Sequence, residues 1–140
     1  MGLVWTEISL KNVEDEMKVR LGLLKEEDIH RTTVKALVDT GAWTLVINEA
    51  VREKLELPFT GIEPGTLADG KEELYKLAGP LEVRWKNRRI VCEALVLPDA
   101  KDVLLGAIPL EGMDLTVNPR TEEVVGIHGE EVLHRVTLLS

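Results

Sequence analysis

The stretch from Leu37 to Trp43, which reads Leu-Val-Asp-Thr-Gly-Ala-Trp, places the strongest constraint on the fold. The apolar residues that lead into it predict a mostly buried strand over 34–38 that ends at Asp39. Gly41 then allows a tight turn that brings backbone amide donors close to the carboxylate. A carboxylate inside a protein must be hydrogen-bonded, paired with a cation or protonated. The sequence therefore predicts a strand and a turn that present Asp39 to a site.

Short strands separated by turns make up most of the chain. Alternating or continuous apolar residues predict the strands, and polar stretches predict the turns between them. The predicted strands cover 5–10, 17–23, 29–38, 44–47, 81–85, 89–97, 103–105, 115–118, 123–127 and, with a weaker pattern, 132–139. The run over 89–97 is nearly continuous in apolar residues, which predicts a central strand. Strands at this spacing predict an all-β fold, either a small barrel or a sandwich.

One segment carries a clear helix signal. Asn48 is a favourable N-cap for a helix over 49–55, and Pro58 ends that helix. A single helical turn is also expected over 107–113, where Pro109 fits in the first turn. We expect 49–55 to be the one clear helix of the chain.

The segment over 60–80 differs from the rest because glycine and proline interrupt it repeatedly. Asp69-Gly70 within it is a typical hairpin-turn dipeptide, so this segment predicts a long, mobile hairpin. Lys86-Asn87-Arg88 predicts a shorter polar turn between the next two strands.

The composition is that of an ordinary globular protein. With 140 residues, of which 44% are hydrophobic and 30% charged, the chain is long enough to bury one core, and we expect a single domain over 1–140. The net charge of −8 disfavours binding to nucleic acid or to an anionic membrane. Peptides or proteins are therefore the expected partners.

Cysteine content and hydropathy bear on the compartment. Cys92 is the only cysteine, so no internal disulfide can form, and a reducing compartment is favoured. We see no apolar run of membrane-spanning length and no signal-peptide pattern, and we expect a soluble cytoplasmic protein. The first six residues fit the short myristoylation pattern, but they also alternate like a first strand, which makes a chance match the better interpretation.

Nucleophilic catalysis by serine or cysteine fits the sequence poorly. The only two serines, Ser9 and Ser140, do not lie on a turn of the nucleophile-elbow type. Cys92 lies inside an apolar run, which favours a small buried hydrophobic role over a reactive thiolate.

Metal and phosphate chemistry are also disfavoured. The three histidines, His30, His128 and His134, are too scattered for a zinc site and read as ordinary surface or turn residues. The segment 65–71 resembles the start of a phosphate-binding loop, but Glu72 stands where Ser or Thr is required. We expect no metal and no cofactor.

Asp39-Thr40-Gly41-Ala42 is left as the candidate site, and three features accompany it in order. Apolar residues lead into it, a glycine-bearing hairpin follows it, and Leu104-Leu105-Gly106 comes later. This combination resembles the retropepsin-like aspartic proteases, the single-domain branch of the pepsin superfamily, over about 17–115. The resemblance implies an all-β fold: a small closed β-barrel of the retropepsin type with one short helix after the active turn, a flap hairpin and a homodimer.

The resemblance assigns roles to the residues of the turn. Asp39 is implied to be catalytic, and because the chain has a single Asp-Thr-Gly, it must meet Asp39 of a second subunit across a twofold axis. The two carboxyl groups would share one proton, one acting as general base on water and the other as general acid on the peptide. Thr40 would hydrogen-bond across the axis, and Gly41 would offer its amide to the carboxylate. The implied substrate is a peptide or an unfolded protein.

Supporting roles are implied in the same way. The hairpin predicted over 60–80 would be a flap that covers the substrate and excludes water. The residues implied to bind substrate are Ala42, Trp43, Ala68, Asp69 and Gly70. Leu105 and Gly106 would support the active turn from behind, where a side chain on Gly106 would collide with it.

Two positions depart from the retroviral pattern. Trp43 stands where retroviral members carry Asp, and Ala107 stands where they carry Arg, so both members of an ion pair that braces the dimer are absent together. Trp43 is similar instead to small prokaryotic members with an aromatic residue here, where it would line the groove, join the dimer contact or pack in the core. A C-terminal strand extension over about 128–140 exceeds a minimal retroviral chain.

The leading hypothesis is therefore a homodimeric aspartic endopeptidase. The main alternative is a non-catalytic dimeric module that binds a peptide or a protein on the same fold. In a third interpretation Asp39 is a plain turn residue of a structural domain, which predicts a monomer.

Overall fold

The computed structural model describes residues 2–66 and 69–129. The strands are β1 (Trp5–Asn12), β2 (Arg31–Val38), β3 (Leu45–Ile47), β4 (Phe59–Thr66), β5 (Glu72–Trp85), β6 (Arg88–Val96), β7 (Val103–Leu105), β8 (Leu115–Asn118) and β9 (Glu123–Gly126). The helices are α1 (Val13–Arg20), α2 (Glu49–Lys54) and α3 (Ala107–Gly112), with a 3₁₀ turn at Glu26–Asp28.

Six of these strands form a closed barrel in the order β1-β2-β7-β3-β6-β5, and pairing of β5 with β1 completes the ring. The β2–β7 and β3–β6 pairs are parallel, whereas the other pairs are antiparallel. β4 lies outside the ring and pairs only with β5 among the described strands. The prediction of an all-β closed barrel is confirmed, with β6 in a central position between β3 and β5.

The hydrophobic core fills the barrel. Its most deeply buried side chains include Ile8, Leu10, Leu45, Ile47, Leu55, Leu57, Leu81, Val83, Leu105 and Met113. Removing one such aliphatic side chain from water contributes about 1.5–3 kcal/mol. A second, smaller cluster lies beneath the β4–β5 hairpin and consists of Val46, Tyr75, Leu77 and Leu95. The catalytic candidate lies beside this second cluster, because Ala42 and Leu104 pack against it.

The predicted strand over 17–23 is wrong, because Val13–Arg20 forms α1. Asn12 caps this helix by accepting a hydrogen bond from the Asp15 amide (3.1 Å), and acidic residues fill the first turn and basic residues the last. The apolar residues that suggested a strand are not buried, since Met17 is 49% and Leu23 is 72% exposed. Capping and charge placement, rather than an apolar face, stabilise this helix.

The other two helices agree with the sequence. The side chain of Asn48 accepts from the Val51 amide (2.9 Å) and begins α2, as its N-cap role predicts. α3 forms where a single helical turn is expected. The presence of α1 nevertheless means that the helix after Asn48 is not the one clear helix of the chain.

Arg88 also departs from the prediction of a polar turn. It is the first residue of β6 and its side chain is fully buried, so the turn consists only of Lys86 and Asn87. Its guanidinium donates to the carbonyl oxygens of Met113 (3.2 Å), Asp114 (2.8 Å) and Gly129. Arg88 therefore ties the barrel to the chain on either side of β8 and β9.

The predicted hairpins are otherwise present. The β4–β5 hairpin occupies the segment predicted over 60–80, and β8 pairs with β9 in a separate two-stranded sheet. The strand expected over 132–139 lies outside the described residues. Within the described residues, none of the helices is both long enough and apolar enough to cross a membrane.

Candidate active site

Asp39 follows directly after β2 and sits at the start of a tight turn. Its amide donates to the carbonyl of Leu105 (3.0 Å), and its own carbonyl accepts from the amide of Ala42 (3.1 Å). The carboxylate oxygen Oδ1 accepts a hydrogen bond from the Gly41 amide (2.9 Å). The side chain is half-buried, and no cation of the described residues pairs with it. The turn thus fixes one carboxylate oxygen and leaves the group able to act on a ligand.

The turn is held from behind by the end of β7. β2 and β7 run parallel with Val38 opposite Leu105, so Gly106 comes to lie against the backbone of the turn. A Cβ atom on Gly106 would be 2.2 Å from the Thr44 carbonyl oxygen and 2.6 Å from that of Ala42. Real Cβ atoms do not approach backbone this closely, so the packing requires glycine at this position.

The first turn of α3 adds two further contacts. The amide of Ala107 donates to the Ala42 carbonyl (2.8 Å), and the amide of Ile108 donates to the Trp43 carbonyl (3.0 Å). The buried hydroxyl of Thr44 donates to the carbonyl of Glu93 in β6 (3.0 Å). Backbone and buried hydrogen bonds therefore brace the turn at positions 43 and 107, where no ion pair is available.

A groove of about 810 Å³ opens over the turn. Asp39, Gly41, Ala42 and Trp43 form one side of it. The hairpin forms the opposite side with Pro64, Gly65, Thr66, Glu72 and Tyr75, and an apolar wall is formed by Val46, Leu95, Leu97 and Leu104. The groove thus combines a presented carboxylate with apolar surface, which is the usual make-up of a ligand site.

The structure brings some of the predicted site residues together and separates others. Asp39, Gly41, Ala42 and Trp43 line the groove, and Trp43 is 45% exposed. Thr40 is exposed at the tip of the turn, and Leu105 and Gly106 lie behind the turn.

Asp69 and Gly70, the described residues at the tip of the hairpin, are not among the residues that line the groove. Asp69 and Gly70 are exposed there, and the Asp69 carboxylate accepts from the Lys71 amide (2.9 Å). Ala68 lies outside the described residues. The hairpin residues that line the groove together with Asp39 belong to its two strands, β4 and β5.

Sequence reasoning missed Tyr75, the only tyrosine of the chain. Its ring packs on Gly65, where an added Cβ would lie 2.7 Å from two ring carbons. The side chain is 8% exposed, and its hydroxyl has no hydrogen-bond partner in the described part of the chain. Burial raises the pKa of this hydroxyl, and the negative charges of Glu73 and Asp69 raise it further. The alternation of Tyr75 with Leu77 on one face of β5 was the available signal.

The geometry gives no support to the other chemistries. Burial raises the pKa of the Cys92 thiol to about 11, so the reactive thiolate is scarce at neutral pH. Over residues 2–66 and 69–129, no group of three or more His, Cys, Asp or Glu side chains could hold a metal ion.

Comparison with known proteins gives one family match and several structural similarities. A family model described as aspartyl protease matches residues 26–108. The EIAV protease in complex with the inhibitor HBY-793 is 20% identical, with 75% of this chain and 82% of that chain covered and a TM-score of 0.48. A retropepsin-like aspartic protease from Rickettsia conorii is 18% identical, with 84% and 88% covered and a TM-score of 0.47. No curated protein matches the chain.

Proposed function

The chain belongs to the aspartyl protease family, and we propose that it is an endopeptidase whose active site forms when Asp39 of two subunits meet across a twofold axis. The observation that carries this proposal is the Asp39 carboxylate, fixed by the Gly41 amide and facing a groove of about 810 Å³. The volume of the groove lies within the usual range of ligand sites, and its apolar wall suits peptide side chains.

The need for a second subunit follows from the chemistry. Hydrolysis by this kind of site requires one carboxylate as base and one carboxylic acid as proton donor. Aspartic proteases are the standard example of two carboxyl groups that share one proton, because both cannot be ionised at contact distance. The chain has one Asp-Thr-Gly, and Thr40 and Gly41 beside Asp39 are exposed. An exposed turn is available to meet its symmetry mate.

The two Asp39 carboxyl groups hold one proton between them both before and after hydrolysis. The ionised Asp39 takes a proton from water as the water oxygen bonds to the peptide carbonyl carbon, and the protonated Asp39 of the second subunit gives its proton to the carbonyl oxygen. The tetrahedral intermediate collapses when the carbon–nitrogen bond breaks. A carboxyl group protonates the leaving nitrogen, a hydroxyl proton of the intermediate passes to a carboxylate, and the pair again holds one proton.

The β4–β5 hairpin has a defined part in this scheme. Pro64, Gly65 and Thr66 lie over the groove opposite the turn. A bound peptide would lie between hairpin and turn, so that bulk water is excluded while one reacting water remains. Trp43, exposed at the groove, would pack against a substrate side chain.

The test is cleavage of an unfolded protein or a quenched fluorescent peptide by wild type and by Asp39→Asn. Loss of the acid–base pair should lower kcat by roughly 10²–10⁴-fold or more. Circular dichroism and sedimentation should be unchanged, because the side-chain oxygen of Asn can still accept a hydrogen bond from the Gly41 amide. Asp28→Asn, a change at an exposed residue of the 3₁₀ turn, is the matched control and should retain activity. Undiminished cleavage by Asp39→Asn would rule the proposal out, and peptide binding without cleavage by wild type would favour a binding module.

A further inference from the structure

The hydroxyl of Tyr75 is the unexplained polar group of the groove. The side chain is more than nine-tenths buried, it lines the same groove as Asp39, and its hydroxyl has no hydrogen-bond partner in the described residues. Buried hydroxyl groups in proteins are nearly always paired, since an unpaired one loses its hydrogen bonds to water without replacement. A group that is unpaired in the ligand-free protein and lines a binding groove is a candidate partner for a ligand.

The surroundings of Tyr75 restrict the chemistry of that ligand group. The neighbours in its cluster, Val46, Leu77 and Leu95, are apolar and offer no hydrogen bonds from their side chains. A hydrocarbon ligand would therefore leave the hydroxyl unpaired. A full charge would lose its hydration among these apolar side chains.

Charge excludes one further class of ligand. Glu73 and Asp69 lie close enough to Tyr75 for their negative charges to act on its hydroxyl. A ligand carboxylate placed at Tyr75 would be repelled by the same charges. A neutral acceptor avoids this repulsion, and the hydroxyl stays protonated, and so able to donate, throughout the neutral pH range.

We propose that Tyr75 is a specificity-determining residue that donates a hydrogen bond from its hydroxyl to the side-chain amide of a Gln or Asn residue in the substrate peptide. This inference rests on the proposed peptidase function of the same groove. Glu72 also lines the groove and carries an exposed carboxylate, which can accept from the amide NH₂ group. An uncharged amide carries its acceptor and its donors on two separate atoms, so its oxygen can accept from the hydroxyl while its NH₂ group donates to a carboxylate.

Access to the hydroxyl depends on the hairpin. The ring of Tyr75 lies against Gly65 of β4, so the hydroxyl is covered in the ligand-free state. Displacement of β4 by an entering peptide uncovers it, and the substrate amide then replaces the missing partner. The pairing therefore favours peptides that carry the amide at the one position facing Tyr75.

The test compares peptides that differ only by Gln or the similarly sized Leu, with the exchanged position moved stepwise along the sequence. Binding is measured to Asp39→Asn and to Asp39→Asn/Tyr75→Phe, so that no cleavage is needed, and kcat/KM is measured for wild type and Tyr75→Phe. At one position Gln should be preferred over Leu by about tenfold in Kd, and Tyr75→Phe should reduce this preference to within about twofold. Leu peptides should bind both forms equally well, which is the internal control.

Thermal unfolding supplies a second readout. Tyr75→Phe removes a hydroxyl without a partner, so the Tm of the ligand-free protein should stay the same or rise. A preference for Gln that survives in Tyr75→Phe, the lack of any position that prefers Gln, or a marked fall in Tm would each overturn the inference. If wild type cleaves Leu peptides but shows no Gln preference, the peptidase proposal stands and this inference fails. If no peptide is cleaved but binding shows the Tyr75-dependent preference for Gln, the peptidase proposal fails and the role of Tyr75 in peptide binding stands.

Discussion

Gly106 and Thr44 are in such close contact that a single Cβ atom on Gly106 would lie 2.2 Å from the Thr44 carbonyl oxygen. This contact joins the end of β7 to the segment that follows the active turn. The position of Asp39 is therefore set by backbone packing behind it as well as by its own hydrogen bond to Gly41.

Gly106→Ala should unfold at lower denaturant concentration. The added methyl group would clash with two backbone carbonyl oxygens, and no side-chain rotation can remove the clash. We therefore expect the free energy of unfolding to fall by at least about 1–3 kcal/mol. Gly61→Ala is the matched control, because its nearest neighbour would be a Leu77 carbon at 3.9 Å, and its change should stay within about 1 kcal/mol. Equal stability of the two variants in urea titrations would show that the turn does not depend on this contact.

Mixed dimers test the proposed pairing of two Asp39 side chains. When wild type is mixed with an equal amount of Asp39→Asn and the subunits exchange, half of the wild-type subunits acquire an inactive partner. Total peptidase activity should then fall to about half, since each wild-type subunit needs a second one. An Asp28→Asn partner should cause no loss. Activity that is indifferent to the mutant subunit would mean that one Asp39 suffices.

His30 should make stability depend on pH. Its Nδ1 lies 2.8 Å from an Asp15 carboxylate oxygen, and its Nε2 contacts Glu56. The hydrogen bond to Asp15 is the main cause that raises the pKa of His30 above its ordinary value of 6.5, and the charge of Glu56 adds to it against the opposing effect of burial. The protonated form therefore favours the folded state.

The direction of this pH effect follows from linkage. The stabilisation is complete below pH 6.5, where His30 is protonated in both states, and is lost as the pH rises through the raised pKa of the folded state. In urea titrations, the stability advantage of wild type over His30→Gln should therefore shrink as the pH rises above 6.5. An advantage that grows with pH would contradict the assignment.

Arg88→Met should be strongly destabilising although Arg88 does not line the groove. The substitution leaves the Met113 carbonyl oxygen without its Arg88 donor and the Asp114 carbonyl oxygen with the Ile127 amide alone, which should lower the free energy of unfolding by about 2–4 kcal/mol. Arg89→Met, one residue further along β6, is the control. Its side chain is 59% exposed, and a change of about 0.5 kcal/mol or less is expected. Similar losses in both variants would show that burial of Arg88 is not decisive.

Much of the barrel could be predicted because local patterns agree with the final fold. The approach to Asp39, the cap at Asn48 and the hairpin turns are each encoded by a few neighbouring residues. α1 was missed because its residues alternate in polarity yet bury little, so the periodicity of 17–23 carried no information about packing. The sequence predicts Arg88 as a turn residue because the carbonyl oxygens that accept hydrogen bonds from its guanidinium lie 25 and 26 residues further along the chain.

The groove was predicted on one side only. Asp39, Ala42 and Trp43 lie within five residues of one another and can be recognised as one motif. The groove residues of the hairpin come from β4 and β5, and their place beside the turn depends on the tertiary fold. The turn at Asp69-Gly70 could be predicted because turn chemistry is local, but neither residue lines the groove. The alternation of Tyr75 with Leu77 predicts only that Tyr75 is buried, whereas its unpaired hydroxyl becomes visible only in the folded structure.

β5 takes part in both the groove and the closure of the barrel. Its first residues run beside β4 over the groove, while Leu81–Arg84 hydrogen-bond with β1 and close the barrel. One strand of 14 residues, with a shift of register between Ala78 and Leu81, thus lies beside the groove at its start and closes the barrel at its end. A substitution in β5 can therefore change both the stability of the barrel and the shape of the groove. Selection for one of these properties constrains the other.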